Sequence, residues 1–214
     1  MVGHVCRFNP RFASAKAEIE SGKIGDPLSL TARRNIPAAW TAGILEKIGP
    51  IAGDAIHDTD LMLWLTGRRI VSAYAQTHSL RNLKYPDLAH TTYRFDNGAV
   101  GSLETVWCMP QGAPFDIDER MSIIGSKGLV HVQDTYPNFS VASEEGFQSP
   151  DTTYWPVLHG ARGGALRDEF SYFFRCIREG RRPDVITPEE SAEAVRVCLA
   201  AEESAATGKV VELA

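Results

Sequence analysis

Two short turns constrain this chain more than any other feature. Asp96-Asn97-Gly98 separates the run His90–Phe95 from Ala99–Trp107, and Gly125-Ser126-Lys127-Gly128 separates Arg120–Ile124 from Leu129–Gln133. Turn residues that tolerate positive φ, flanked by alternating apolar and β-branched side chains, close antiparallel hairpins. Ile70–Thr77 and Phe139–Ser143 read as further strands, and Gly25–Arg34 as an earlier one. Hairpin-built sheets need cover on one face only.

The cover comes from helical stretches at the two ends. Pro10 opens a helix to about residue 21, with Phe12, Ala15 and Ile19 as its apolar stripe and Asn9 as its N-cap. Near the C-terminus, Leu166, Phe170, Phe173, Phe174 and Ile177 recur at helical spacing and predict an inward face ended by Gly180. Thr187-Pro188-Glu189-Glu190 spells a capping box, followed by Ala192, Val195, Cys198 and Leu199 as inward positions. Residues 1–9 read as a short strand, residues 35–48 as a loop carrying Trp40, and Val210–Leu213 as a closing strand. The fold class that follows is α+β: an open-faced, mainly antiparallel sheet with helices packed on one face.

Composition excludes several functions. With 43% hydrophobic and 23% charged residues the chain is an ordinary globular one, not a disordered one. A net charge of −5 and no basic run longer than Arg-Arg pairs argue against nucleic acid as a partner. No apolar stretch reaches the length of a membrane span. Cys6, Cys108, Cys176 and Cys198 are far apart and in apolar contexts, which suits reduced core residues of a cytoplasmic protein.

The chemistry concentrates in Gly49–Gly67, which reads as one helix entered through Pro50 and stopped by Gly67. Ile56, Leu61, Leu63, Trp64 and Leu65 make it a helix for burial, yet Asp54, His57, Asp58 and Asp60 lie inside it. Asp54, His57 and Asp60 share a side, so the carboxylates are expected to hold the imidazole as a charged acid or to orient its tautomer. Asp58 and Asp60 also suit ion pairs with Arg33 or Arg34. A catalytic or substrate-binding histidine and a hydrogen-bonded structural one both fit, as does a metal held by His57, Asp54 and Asp60. Trp40 suits either stacking on a sugar face or anchoring its loop.

This stretch resembles the core motif of the Gfo/Idh/MocA oxidoreductases, Asp-x-Gly-x-His-Asp-x-Asp followed by Leu-x-x-Trp-Leu-x-Gly. Ile56, His57, Asp58, Asp60, Leu61, Trp64, Leu65 and Gly67 carry the match. The family's first aspartate falls on Gly53 and its glycine on Ala55; Asp54 is the nearest carboxylate, about 100° further round a helix. Gly3, Arg7, Phe8, Asn9 and Pro10 fit the segment that joins the family's two halves, and the Gly-Ser-Lys-Gly turn and the Gly-Arg-Arg-Pro…Thr-Pro-Glu-Glu ending fit its second half.

The resemblance, which covers essentially the whole chain, implies a dihydrodipicolinate reductase-like C-terminal domain. Residues 1–9 would be a remnant of the last Rossmann strand with its junction, and residues 10–214 the substrate-binding and oligomerisation domain. It implies His57 and Asp54 as the catalytic pair, and Arg7, Tyr154 and His159 as substrate contacts, to which the exposed-loop reading adds Trp40 as a substrate-binding candidate. The substrate would be a small sugar, polyol or cyclitol, and the free sheet face, with the alternating strands 99–107 and 129–132, would pair copies of the chain. The Gly-x-Gly-x-x-Gly turn and the Glu-Lys-Pro motif of the family's first half do not occur in this sequence. The expectation is thus half of an NAD(P)-dependent dehydrogenase, inactive and without bound NAD or NADP on its own. The alternative is a stand-alone, non-catalytic carbohydrate-binding or assembly module.

Overall fold

The computed structural model describes residues 1–133, 139–144 and 146–213. The chain opens with a 3₁₀ turn, Val5–Phe8, and α1 (Pro10–Glu20). Next come β1 (Pro27–Pro37), the short α2 (Ala38–Thr41), a π turn (Ile51–Ala55) and α3 (Ile56–Thr66). The strands β2 (Ile70–His78), β3 (Leu88–Phe95), β4 (Val100–Met109), β5 (Asp118–Gly125) and β6 (Leu129–Gln133) follow. Two ribbons, β7 (Val141–Ser143) with β8 (Gly146–Gln148) and β9 (Val157–Leu158) with β10 (Ala161–Arg162), precede α4 (Ala165–Glu179), α5 (Pro188–Thr207) and β11 (Val211–Glu212).

The sheet runs β11-β2-β3-β4-β1-β5-β6. Every neighbouring pair is antiparallel except β1 with β4, which is parallel. Both predicted hairpins form, with Arg94 opposite Val100 and Ile124 opposite Leu129. Ala73, Tyr93, Leu103, Met121 and Ile123 point into the core, where Phe12, Leu61, Met62, Leu65, Val197 and Ala201 of the helices meet them. Each large apolar side chain removed from water there contributes roughly 1.5–3 kcal/mol. The outer face of β4 is mixed: Val100, Ser102, Glu104 and Val106.

The local signals hold where a side chain closes its own turn. Asn9 Oδ1 accepts the Arg11 N–H at 2.9 Å, and the Thr187–Glu190 capping box is complete. Several expectations are corrected. Residues 1–9 form no strand; a 3₁₀ turn packs them beside α4, with Phe8 on Tyr172 at 5.5 Å. Residues 35–37 extend β1, and α2 carries Trp40. Val141–Ser143 leaves the main sheet for its own ribbon. The Gly49–Gly67 helix starts as a π turn rather than an α-helix from Pro50.

The apolar stripe of α4 is not its packed face. Ala165, Glu169, Tyr172 and Cys176 are buried, while Phe170, Phe174 and Ile177 are exposed. On α5, Ala194, Val197, Cys198 and Ala201 pack, and Val195 and Leu199 are exposed. Periodicity reports that a helix has an apolar face; it does not say what covers that face.

Candidate functional site

β1 and β5 aim two long polar side chains inward, under the helix layer. Arg34 shares its parity with Leu30 and Ala32, and Glu119 shares its parity with Met121 and Ile123, so both leave the sheet on its covered face. Arg34 and Glu119 are also direct cross-strand partners. The guanidinium donates to Asp58 of α3 through Nε at 2.6 Å and through Nη2 at 3.3 Å, and Nη2 also donates to Glu119 Oε1. Tyr154 donates its hydroxyl to Glu119 Oε2 at 2.5 Å. Cys6 stands beside them, its sulfur 3.4 Å from both Arg34 Nη2 and the Tyr154 oxygen. All five side chains are buried. Burial pushes the Cys6 thiol and the Tyr154 phenol well up, and the two carboxylates hold Arg34 protonated. Burial also lifts Asp58, to about 7, against the pull of Arg34.

A second strut ties the start of the chain to the same helix. Arg7 grips Asp60 with two bonds, Nε to Oδ2 at 2.9 Å and Nη2 to Oδ1 at 2.7 Å. Its Nη1 donates to the Val185 carbonyl at 2.6 Å and lies 3.2 Å from Glu190. The guanidinium lies over Trp64, 5.3 Å from the ring centre. Arg7 is buried, braces α3 through Asp60, and forms part of the wall of a cleft of about 340 Å³ with Leu63, Trp64 and Glu190.

These pairings leave His57 alone among its carboxylates. Asp58 is taken by Arg34, Asp60 by Arg7, and Asp54 accepts the Trp107 indole N–H at 2.8 Å. His57 Nδ1 is buried with no hydrogen-bond partner among the described residues. Its pKa falls to about 3, through burial first, then the Arg34 charge and His4. The expected charged acid is therefore corrected to a neutral imidazole. Every nearby carboxylate has a stronger donor to serve. The expectation of an Asp58–Arg34 pair holds, whereas Asp60 pairs with Arg7, and Arg33 turns to Glu104 and Asp118.

Gly53 explains why the motif's aspartate has no place here. A Cβ on Gly53 would lie 2.5 Å from Trp107 Cη2, so the tryptophan ring fills that space. The same ring turns its N–H to Asp54, which is buried and whose carboxyl burial raises. A π turn at this point re-aims side chains relative to an α-helix.

The remaining predicted residues are dispersed. Tyr154 is buried in the Glu119 network. Trp40 is 53% exposed at the rim of a cleft of about 350 Å³ with Pro37, Gln111, Phe115 and Gln148. His159 sits exposed, with φ of 53°, in the turn between β9 and β10. No hydrogen bond or ring contact described for Trp40 or His159 joins either to His57. Sequence reasoning missed Glu119, Trp107 and His4 as parts of the site. Strand parity could have found Glu119, a carboxylate on the Met121 side; no local signal marks the other two.

The fit of a dinucleotide can be tested on the glycines. Gly164 meets Thr153 O at 2.4 Å from a built Cβ and caps α4 after an antiparallel ribbon, so its lack of a side chain serves close packing. Among the described residues no glycine turn joins a parallel strand to a helix in the manner that holds a pyrophosphate. Likewise, no cluster of three metal-ligating side chains occurs among them.

The oxidoreductase family profile for the Gfo/Idh/MocA C-terminal alpha/beta domain matches residues 16–213. The chain belongs to that family. It is 29% identical over 219 residues to scyllo-inositol 2-dehydrogenase (NAD(+)) of Bacillus subtilis (strain 168), covering 99% of this chain and 62% of the relative. Myo-inositol 2-dehydrogenase from Lactobacillus plantarum shares the fold with a TM-score of 0.80 at 19% identity, over 99% of this chain and 64% of that one. Scyllo-inositol dehydrogenase from Lactobacillus casei, with bound NAD(H) and scyllo-inositol, does so with a TM-score of 0.78 at 21% identity, over 99% and 64%. The chain thus spans less than two thirds of the length of these relatives. As such a C-terminal domain it has the α+β architecture expected, and no helix among its described residues is long and apolar enough to cross a membrane.

Proposed function

We propose that this chain is the polyol-binding part of an inositol or sugar dehydrogenase, with His57 as the residue that meets a substrate hydroxyl. The observation that carries this reading is the construction around His57. Two buried arginines, Arg7 and Arg34, anchor Asp60 and Asp58 on either side of it and hold α3 in place, while the ring itself stays neutral and partly exposed. Such a ring offers one N–H and one lone pair, so it can either donate to an alcohol oxygen or accept an alcohol proton. A relative that acts on scyllo-inositol with NAD(+) aligns along essentially the whole chain. His57 binds and orients the hydroxyl and takes its proton as hydride leaves the carbon that bears the hydroxyl, the O–H electron pair becoming the second bond of the carbonyl. Among the described residues no glycine turn builds a dinucleotide cradle, and in this reading the hydride acceptor is held by another part of the enzyme. The mixed outer face of the sheet is the proposed contact between copies.

Titration of the purified chain with myo-inositol and, separately, with NADH tests this by calorimetry and absorbance. Saturable inositol binding that is lost in His57→Ala, with no NAD-dependent turnover, is expected. Tight NADH binding with turnover by this chain overturns the claim that it is inactive alone. Absence of any polyol binding favours the non-catalytic assembly module, a reading to which the Trp107-filled space at Gly53 gives some weight.

A further inference from the structure

Two imidazoles, one buried and one half-buried, meet beside the candidate site. His4, 2% exposed, precedes the 3₁₀ turn Val5–Phe8, and His57 lies at the start of α3. Their ring centroids are 6.1 Å apart and their planes nearly perpendicular, at 87°. Both nitrogens of His4 and Nδ1 of His57 are buried with no hydrogen-bond partner among the described residues. Asp60 Oδ1, 3.8 Å from His4 Nε2, is beyond hydrogen-bond reach and is already held by Arg7. Buried polar atoms in native proteins are nearly always paired, so three orphans in one place call for an explanation.

The spacing suggests one. Rings centred 6.1 Å apart do not bond each other directly, yet a single oxygen can bridge them, since each N···O link spans about 2.8 Å. The charges around the pair are Asp60, Arg7 and Glu190 about His4, and Arg34 about His57. Both rings are held on the neutral side, so each has one donor and one acceptor nitrogen.

We propose that His4 is a positioning residue for His57: the two imidazoles share one O–H group, and His4 thereby fixes which nitrogen of His57 carries the proton. The identity of that O–H as a polyol hydroxyl rests on the proposed function; the coupling of the two rings does not, because water can serve in the free chain.

Long-range ¹⁵N–¹H correlation spectra of the full labelled chain at pH 7, with and without myo-inositol, read the tautomer of each ring. In the wild type His57 is expected in one dominant tautomer. His4→Phe, which keeps the bulk and removes both nitrogens, raises the minor tautomer several-fold, and His4→Gln restores the wild-type ratio. Reciprocally, His57→Asn moves the His4 nitrogen shifts, a readout that survives if His4→Phe fails to fold. An unchanged His57 ratio in His4→Phe, or unchanged His4 shifts in His57→Asn, overturns the proposal. If the rings prove coupled but myo-inositol shifts neither, the positioning role stands and the polyol reading fails.

Discussion

Replacing His57 by Gln makes stability the gauge of the site's electrostatics. Folded, the imidazole resists protonation down to about pH 3; unfolded, it takes up a proton below about 6.5. The unfolded state therefore binds more protons across that window, and this contribution to stability is full above pH 6.5 and lost as pH falls. Each unit of pH within the window is worth about 1.36 kcal/mol. Between pH 7.5 and 4.5 the wild type should lose about 2.7 kcal/mol relative to the variant, trimmed to about 2 kcal/mol by the ring's partial exposure. Asp58 and Glu169 are both raised by burial to about 7 and act in the opposite sense, adding stability as pH falls from there. They are present in both proteins and cancel in the difference. Urea unfolding of the two proteins at half-unit steps of pH measures it. Parallel curves would refute the reasoning, because they would mean an imidazole with an unshifted pKa; a wild type that gains stability over the variant as pH falls would mean that Asp54 and Asp60 stabilise an imidazolium, and the charged-acid reading would return.

Other consequences follow from the packing. Gly53→Ala forces a methyl into the Trp107 ring and should cost about 1–3 kcal/mol in urea unfolding; relief by an added Trp107→Leu would identify the ring as the obstacle. Arg34→Met leaves Asp58 and Glu119 buried without their cation, and a loss of about 3–5 kcal/mol is expected, while a neutral result would mean that water reaches the pair. On α4, Phe174→Ser should change stability by under about 0.5 kcal/mol. Tyr172→Phe, whose hydroxyl donates to Asp184 and accepts the N–H groups of Asp184 at 2.7 Å and Val185 at 3.1 Å, should cost about 1 kcal/mol or more. The reverse order would restore the phenylalanine stripe as the packed face.

What the sequence determined by itself is what depends on near neighbours in the chain. Asn97-Gly98 and Gly125–Gly128 closed their hairpins, Asn9 and Thr187 capped their helices, and Gly67 ended α3 in a left-handed conformation, because each uses atoms a few residues away. The family motif likewise placed His57 on a helix. The partners of that helix's carboxylates were decided only by the tertiary structure. Arg34 lies 24 residues before Asp58, Trp107 lies 53 after Asp54, and Glu119 is brought in by a strand pairing. The competition for each carboxylate was settled by which guanidinium or indole N–H the fold delivered within hydrogen-bond reach. That is why a histidine surrounded by acids in sequence is a neutral imidazole in space, and why His4, read as a strand residue, stands beside it.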